Sequence, residues 1–242
     1  MAVRRQLVVG FDLDMTLVDS AAGIVASLAA ALGEQGLSLD PEGFWPLVGL
    51  PLEDTLLALA PTVDLARAVP AYRAAYPTLG APAAVLLPGA AEAIVAVHAR
   101  GGRVLVVSAK IETAVRSVLS QVGLDHGDRA PDEVAGGLFA AAKSPKLQAA
   151  GAQVFVGDHP GDLEAARLAG AFALAVSTGP HDRQQLLAAG ADAVLADLRD
   201  FPRWLDGWIR LPASGLPLAG TDSLGRPRCS DQVRHPRSTQ RS

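Results

Sequence analysis

Apolar positions along this chain follow two rhythms. Leu7 to Phe11, Arg103 to Ser108, Gln153 to Gly157, Phe172 to Val176 and Ala193 to Leu195 are short runs rich in Val, Leu, Ala and Phe. Runs this short and continuous predict strands buried on both faces, as in a parallel sheet. Between them, Ala90 to Arg100, Ile111 to Val122, Lys146 to Ala150, Asp162 to Ala169, Gln184 to Ala189 and Leu198 to Arg210 have helical patterning. Gly123 and Gly170 stand just past two of these segments, where a helix end favours a left-handed residue. Strands and helices alternating through short connections predict an α/β fold, a parallel sheet with helices on both faces.

Residues 19 to 85 break that rhythm. They hold Ala- and Leu-rich helical segments (Ile24 to Leu32, Leu52 to Ala60, Leu65 to Tyr76) and no clear strand. The expected organisation is a core of residues 1–18 and 86–212 with a small helical module, 19–85, inserted after the first strand. The crossings near Val18 to Ser20 and Ala83 to Leu87 are expected to be hinges with few contacts. Residues 213–242 lack an apolar period and are rich in Pro, Ser, Gly and Arg, which predicts a disordered tail. Residues 74–91 carry no charge, but Pro77, Pro82, Pro88, Gly80 and Gly89 interrupt them, which argues against a membrane span.

Composition narrows the classes. The 242 residues, 50% hydrophobic and 19% charged, can build one substantial domain and a smaller one. Aromatics are only 5%, so the core must be aliphatic. Cys229 is the lone cysteine, which excludes an intrachain disulfide and points to a reducing compartment, the cytoplasm. Arg4 and Arg5 precede an apolar run, but Asp12 cuts it too soon for a signal peptide. A net charge of −4 gives no ground to expect nucleic acid or an anionic membrane as partner.

Three polar sites stand at the carboxyl ends of predicted strands, the edge where open α/β sheets bind ligands. The first strand runs straight into Asp12-Leu13-Asp14-Met15-Thr16. Two carboxylates one residue apart repel each other unless a cation or a proton lies between them. That pattern suggests a metal, an acid/base pair, or both. Ser108 ends the second strand, and Asp158 ends the third with Asp162 four residues on. Any one of these could be a helix cap. All of them at one sheet edge argue for a shared site.

In order and spacing these residues resemble the haloacid dehalogenase-like phosphohydrolases. Asp12, Asp14 and Thr16 fit the first motif and Ser108 the second. Lys143, in Ala-Lys-Ser-Pro-Lys-Leu, fits the third, with Lys146 as its rival. Gly157-Asp158-His159-Pro160-Gly161-Asp162 fits the fourth. The helical insert looks like the family's cap, and the context through Ser20 resembles its phosphoglycolate phosphatase-like branch. Met15 stands where that branch usually has Gly.

The resemblance implies a Rossmann-like core and an enzyme that hydrolyses a small phosphate ester through an aspartyl-phosphate. It implies Asp12 as nucleophile, Asp14 as general acid and base, and Thr16, Ser108 and Lys143 at the phosphate. Mg²⁺ would be held by the Asp12 carboxylate, the Asp14 carbonyl and Asp158, with Asp162 in support. Mg²⁺ takes oxygen ligands of this kind, commonly one or two carboxylates plus phosphate. A phosphomutase and a silent binding protein on the same scaffold are the alternatives. A dehalogenase needs no general acid, so Asp14 argues against it. A receiver domain would carry neither the general acid nor the insert. Lys110 reaches either the substrate or solvent, His159 is expected in a loop role, and His98, His126 and His181 are expected at the surface. Trp204 and Trp208, four apart, are expected to pack the last helix on the core.

Overall fold

The computed structural model describes residues 6–210; the tail expected from residue 213, and Cys229, lie outside them. Its centre is a six-stranded parallel sheet of β1 (Val8–Phe11), β4 (Arg103–Val107), β5 (Glu133–Ala135), β6 (Val154–Gly157), β7 (Phe172–Val176) and β8 (Ala193–Leu195), in the order β5-β4-β1-β6-β7-β8. Alternate residues of each strand face opposite sides. Val9, Phe11, Val104, Val106, Val154, Val156, Leu174 and Val176 build one core. Val8, Leu105, Val107, Phe155, Ala173 and Ala175 build the other. Burial on both faces is why the strands read as continuous apolar runs.

On the first face pack α5 (Ala90–His98), α6 (Glu112–Gln121) and α10 (Phe201–Arg210). On the second pack α7 (Ser144–Ala150), α8 (Pro160–Ala169) and α9 (Arg183–Ala188). Trp204 and Trp208 stack at 6.1 Å on α10 and meet Phe172, fixing that helix to the sheet as expected. Each of these helices matches a segment anticipated from periodicity.

Between β1 and α5 the chain forms α1 (Ala21–Gly33), α2 (Pro41–Phe44), α3 (Leu52–Leu59) and α4 (Leu65–Ala75), then a π-helical turn over Tyr76–Gly80. This insert does contain strand. β2 (Val18–Asp19) and β3 (Val85–Leu86) form an antiparallel ribbon at its base, pairing Val18 with Leu86 and Asp19 with Val85. The Leu87 N–H extends it to the Leu17 carbonyl at 3.0 Å. The two crossings are therefore tied to each other, and Leu17 and Val18 are fully buried. Two-residue strands are too short to leave a pattern. β5 was equally silent, because Glu133-Val134-Ala135 is half-buried at the sheet edge and follows a charged turn.

Candidate active site

The site grows from the register of three neighbouring strands. Phe11 pairs with Val106 on one side and Val156 on the other, so Asp12, Ser108 and Asp158 emerge at one sheet edge. The Asp12 N–H still donates to the Val156 carbonyl at 2.8 Å, which fixes where the chain leaves the sheet. The chain then folds back on itself: Leu17 and Val18 both donate to the Leu13 carbonyl, at 2.9 and 3.1 Å. Leu13 and Leu17 are fully buried and anchor this turn. Met15 occupies its apex with φ of 56°, a left-handed conformation that costs a non-glycine residue about 1–2 kcal/mol. Its side chain is nevertheless packed in the core.

Asp12, Asp14, Thr16, Ser108, Lys143, Asp158 and Asp162 are all buried. Lys143 is delivered by a 3₁₀ turn (Ala140–Lys143) ahead of α7, and its Nζ lies 2.6 Å from Asp12 Oδ1 and 2.7 Å from Asp162 Oδ1. Lys146, its rival, instead pairs with Glu133 of β5 and is half-buried. Thr16 donates its hydroxyl to Asp158 Oδ1 at 3.1 Å, so it orders an acid of the cluster. The second oxygen of Asp158 is buried and has no hydrogen-bond partner.

Carboxylate oxygens of Asp12, Asp158 and Asp162 lie within 4.8 Å of one another. Three acids with one ammonium leave negative charge uncompensated in a dry pocket. Burial, then the neighbouring charges of Asp162 and Asp14, push the Asp12 carboxyl up to about 7 against the pull of Lys143. Asp158 is likewise raised, chiefly by burial and then by Asp12. A divalent cation would remove both penalties and would give the orphaned Asp158 oxygen a partner.

Glycine permits this crowding at two points. A Cβ on Gly157 would sit 2.3 Å from Asp162 Oδ2, and one on Gly179 would sit 1.9 Å from Asp158 Oδ2. Gly179 follows β7, in a loop that the motif spacing did not suggest. The neighbouring Thr178 hydroxyl donates to the Met15 carbonyl and ties this loop to the first turn.

Asp14 points away from the acid cluster. Its Oδ1 accepts from the Ser20 hydroxyl, and Lys110 Nζ lies 3.2 Å from its Oδ2. The Lys110 side chain is only 9% exposed and turned to Asp14, so a solvent role does not hold. Burial disfavours its charge, but Asp14 and then Tyr72 outweigh that and raise its pKa. Its proximity to Ser108 in sequence was the only signal, and Ser20 showed only as the end of the stretch that carries the family resemblance. His159 caps α8, its ring Nδ1 accepting from the Gly161 N–H at 3.0 Å while its backbone N–H donates to Asp162 Oδ2 at 3.2 Å. His181 is not an isolated surface residue: its ring stands edge-on to His159 at 5.0 Å. Nor is His98, whose ring nitrogens contact the Asp128 carbonyl at 2.8 Å and Asp132 at 3.0 Å.

A sequence model of the haloacid dehalogenase-like hydrolases matches residues 9–167. The chain is 32% identical over 241 residues to the phosphoglycolate phosphatase of Rhodospirillum rubrum, covering 89% of this chain and 93% of that protein. It is also 37% identical over 122 residues to the tyrosine-protein kinase PtkA of Mycobacterium tuberculosis, a match spanning 50% of this chain but only 41% of the kinase. In fold it superposes on a haloacid dehalogenase-like hydrolase from Streptococcus pneumoniae with a TM-score of 0.70 and 22% identity, over 85% of this chain and 99% of that one. No helix among the described residues is long and apolar enough to cross a membrane. The family match begins at the strand that carries Asp12 and runs through the helix that carries Asp162, and on it the chain belongs to the haloacid dehalogenase-like hydrolases.

Proposed function

We propose that the chain is a Mg²⁺-dependent phosphatase that hydrolyses a small phosphate ester through a phosphorylated Asp12. The observation that carries this reading is the buried cluster of Asp12, Asp158, Asp162 and Lys143, with Asp14 held apart from it by Ser20 and Lys110. Two carboxylates beside one reacting centre can divide the work, one attacking phosphorus and the other trading protons. Lys143 binds one oxygen of Asp12 and leaves the other to attack phosphorus. A bond forms from that oxygen to phosphorus while the ester P–O bond breaks. The departing alkoxide takes a proton from Asp14. Water then attacks the aspartyl-phosphate, Asp14 recovers a proton from it, and phosphate leaves with Asp12 restored.

Asp12 and Asp158, supported by Asp162 and the Asp14 carbonyl, would hold Mg²⁺, and Thr16 steadies Asp158 for that task. The ion would supply charge neutralisation for a dianionic ester approaching a carboxylate. Ser108 would donate to phosphoryl oxygens, and Lys143 would offset their charge. The insert over the site would act as the cap that excludes water during reaction.

The test is release of inorganic phosphate from a panel of phosphate monoesters, with Mg²⁺ and with chelator. Release that needs Mg²⁺ supports the reading. Release undiminished in chelator refutes the metal, and an isomerised sugar phosphate with no free phosphate makes the chain a mutase.

A further inference from the structure

Asp14 and Lys110 both line a cavity of about 390 Å³ between the insert and the sheet edge. The four motifs give Lys110 no task. Lys143 already serves Asp12 and Asp162. Among the described residues, Asp14 is the one acid with which Lys110 pairs, and the two side chains are only 9% and 11% exposed at a separation of 3.2 Å. A buried cation beside the proposed proton donor needs a reason, because taking its charge out of water is costly.

The backbone of Lys110 is fixed before its side chain reaches out. It stands in the connection from β4 to α6, where its N–H donates to the Ser108 hydroxyl at 3.2 Å. Its carbonyl accepts from the Gly137 N–H at 2.8 Å. Gly136 presses on the same turn, and a Cβ there would lie 2.6 Å from the Lys110 carbonyl oxygen. At the other end, Nζ sits 4.6 Å from the centroid of the Tyr76 ring. A lysine stem is flexible, and these contacts restrict it to one direction, toward Asp14.

Both oxygens of Asp14 are thereby held. Oδ2 faces Lys110, and Oδ1 accepts from the Ser20 hydroxyl. Ser20 occupies the N-cap position of α1 and is fully buried, yet its hydroxyl caps nothing and turns to Asp14 instead. The last torsion of an aspartate has no sharp preference of its own, so the carboxyl points where its partners hold it. A proton donor works only when it is fixed within hydrogen-bond reach of the leaving oxygen.

We propose that Lys110 is a positioning residue for the proton transfer, holding the Asp14 carboxyl toward the leaving oxygen and compensating its charge once the proton has gone. This rests on the phosphatase reading above. The ester P–O bond breaks, its electron pair stays on the alcohol oxygen, and the proton of Asp14 moves to that oxygen. Lys110 keeps its own protons and pairs with the carboxylate left behind until water returns one to Asp14. Lys110 thus serves departure of the alcohol, and the phosphoryl group is left to Ser108 and Lys143.

The experiment measures kcat/KM of the full chain with Mg²⁺ on benzyl phosphate and 4-nitrophenyl phosphate. This ratio reports the steps through departure of the alcohol, so hydrolysis of the phosphoenzyme does not enter it. A benzyl alkoxide needs a proton to leave, whereas 4-nitrophenolate departs as the anion. Lys110→Met should lower the benzyl value by about 10- to 100-fold, the scale of one hydrogen bond to a charged group, and at least about tenfold more than the 4-nitrophenyl value. In Asp14→Asn the same substitution should change the benzyl value by less than about twofold, because the two residues act as one unit. A merely structural loss would lower both esters alike, in either background. Lys110→Gln, which keeps a donor toward Asp14, carries the same comparison with a smaller loss should Lys110→Met fail to fold. Equal losses on the two esters, or an undiminished further loss in Asp14→Asn, overturn the role of Lys110 and leave the phosphatase reading standing. No turnover of either ester by the native chain takes down both.

Discussion

The sheet edge and the helical insert face each other across one cavity, and they are built from opposite materials. The edge gathers Asp12, Asp158, Asp162 and Lys143 in full burial, each side chain tied to another by a charged hydrogen bond or aligned by strand register. The insert brings Leu28, Phe44, Val48 and Tyr76, whose positions depend on helices packing against helices and on Gly23 meeting Gly80. Chemistry that stabilises a transferring phosphoryl group needs fixed charge, and a rigid sheet supplies it. On the proposed reading, choice among leaving groups would fall to the helical wall, which lines the space beside Asp14. Damage at the edge should fall on kcat, and damage in the wall on the ranking of substrates.

That division can be broken. The largest expected effect is Asp14→Asn, which should lower kcat by about 10²- to 10⁴-fold with KM little changed, the usual worth of a general acid/base. A variant that loses only KM would place Asp14 in the wall rather than in the chemistry. Next is Lys143→Met, which keeps volume but strands Asp12 and Asp162. Removing one partner of a buried ion pair costs about 3–5 kcal/mol, read as a lower denaturation midpoint in chelator. A midpoint equal to that of the native chain would mean the acid cluster is not held by this cation.

pH sharpens the same point. The Asp12 carboxyl titrates near 7 in the folded protein, raised first by burial and then by Asp162 and Asp14, against about 3.9 when unfolded. The folded state therefore binds the proton more tightly. Its contribution to stability is complete below about pH 4 and is lost as pH rises toward 7. Mg²⁺ should offset that loss, so the gap in melting temperature between Mg²⁺ and chelator should widen across this window. A constant gap would separate the metal from Asp12.

The smallest expected effect lies at the apex of the first turn. Met15 holds a left-handed φ of 56° with its side chain in the core. Truncation there should destabilise, but Met15→Gly should be milder than Met15→Ala by about 1 kcal/mol, because only glycine escapes the backbone cost. Chemical denaturation of the two variants measures the difference, and Ala matching Gly would show that the turn relaxes.

Strand-end chemistry was legible because a buried parallel strand leaves an unbroken apolar run and the polar residue that ends it must sit at the ligand edge. Asp12, Ser108 and Asp158 all announced themselves in that way, and Asp162 followed as a first-turn residue of α8. Lys143 became legible only through the family resemblance, since it rides on a short turn with no periodicity. Lys110 showed only through its nearness to Ser108 and Ser20 only within the family resemblance, while Thr178 and Gly179 left no pattern, because such roles depend on groups distant in the chain: Lys110 with Asp14, Thr178 with Met15. β5 and the β2–β3 ribbon were hidden by their length. The insert's helices were visible, but the cavity they close was not, since a wall of aliphatic residues reads the same as any core.

The central claim is that Asp12 carries the phosphoryl group. Acid-quenched turnover of a labelled phosphate ester should leave label on the protein that hydroxylamine releases, as it does from acyl phosphates, and Asp12→Asn should show none. Label that persists in Asp12→Asn, or native turnover that never labels the protein, would contradict the account.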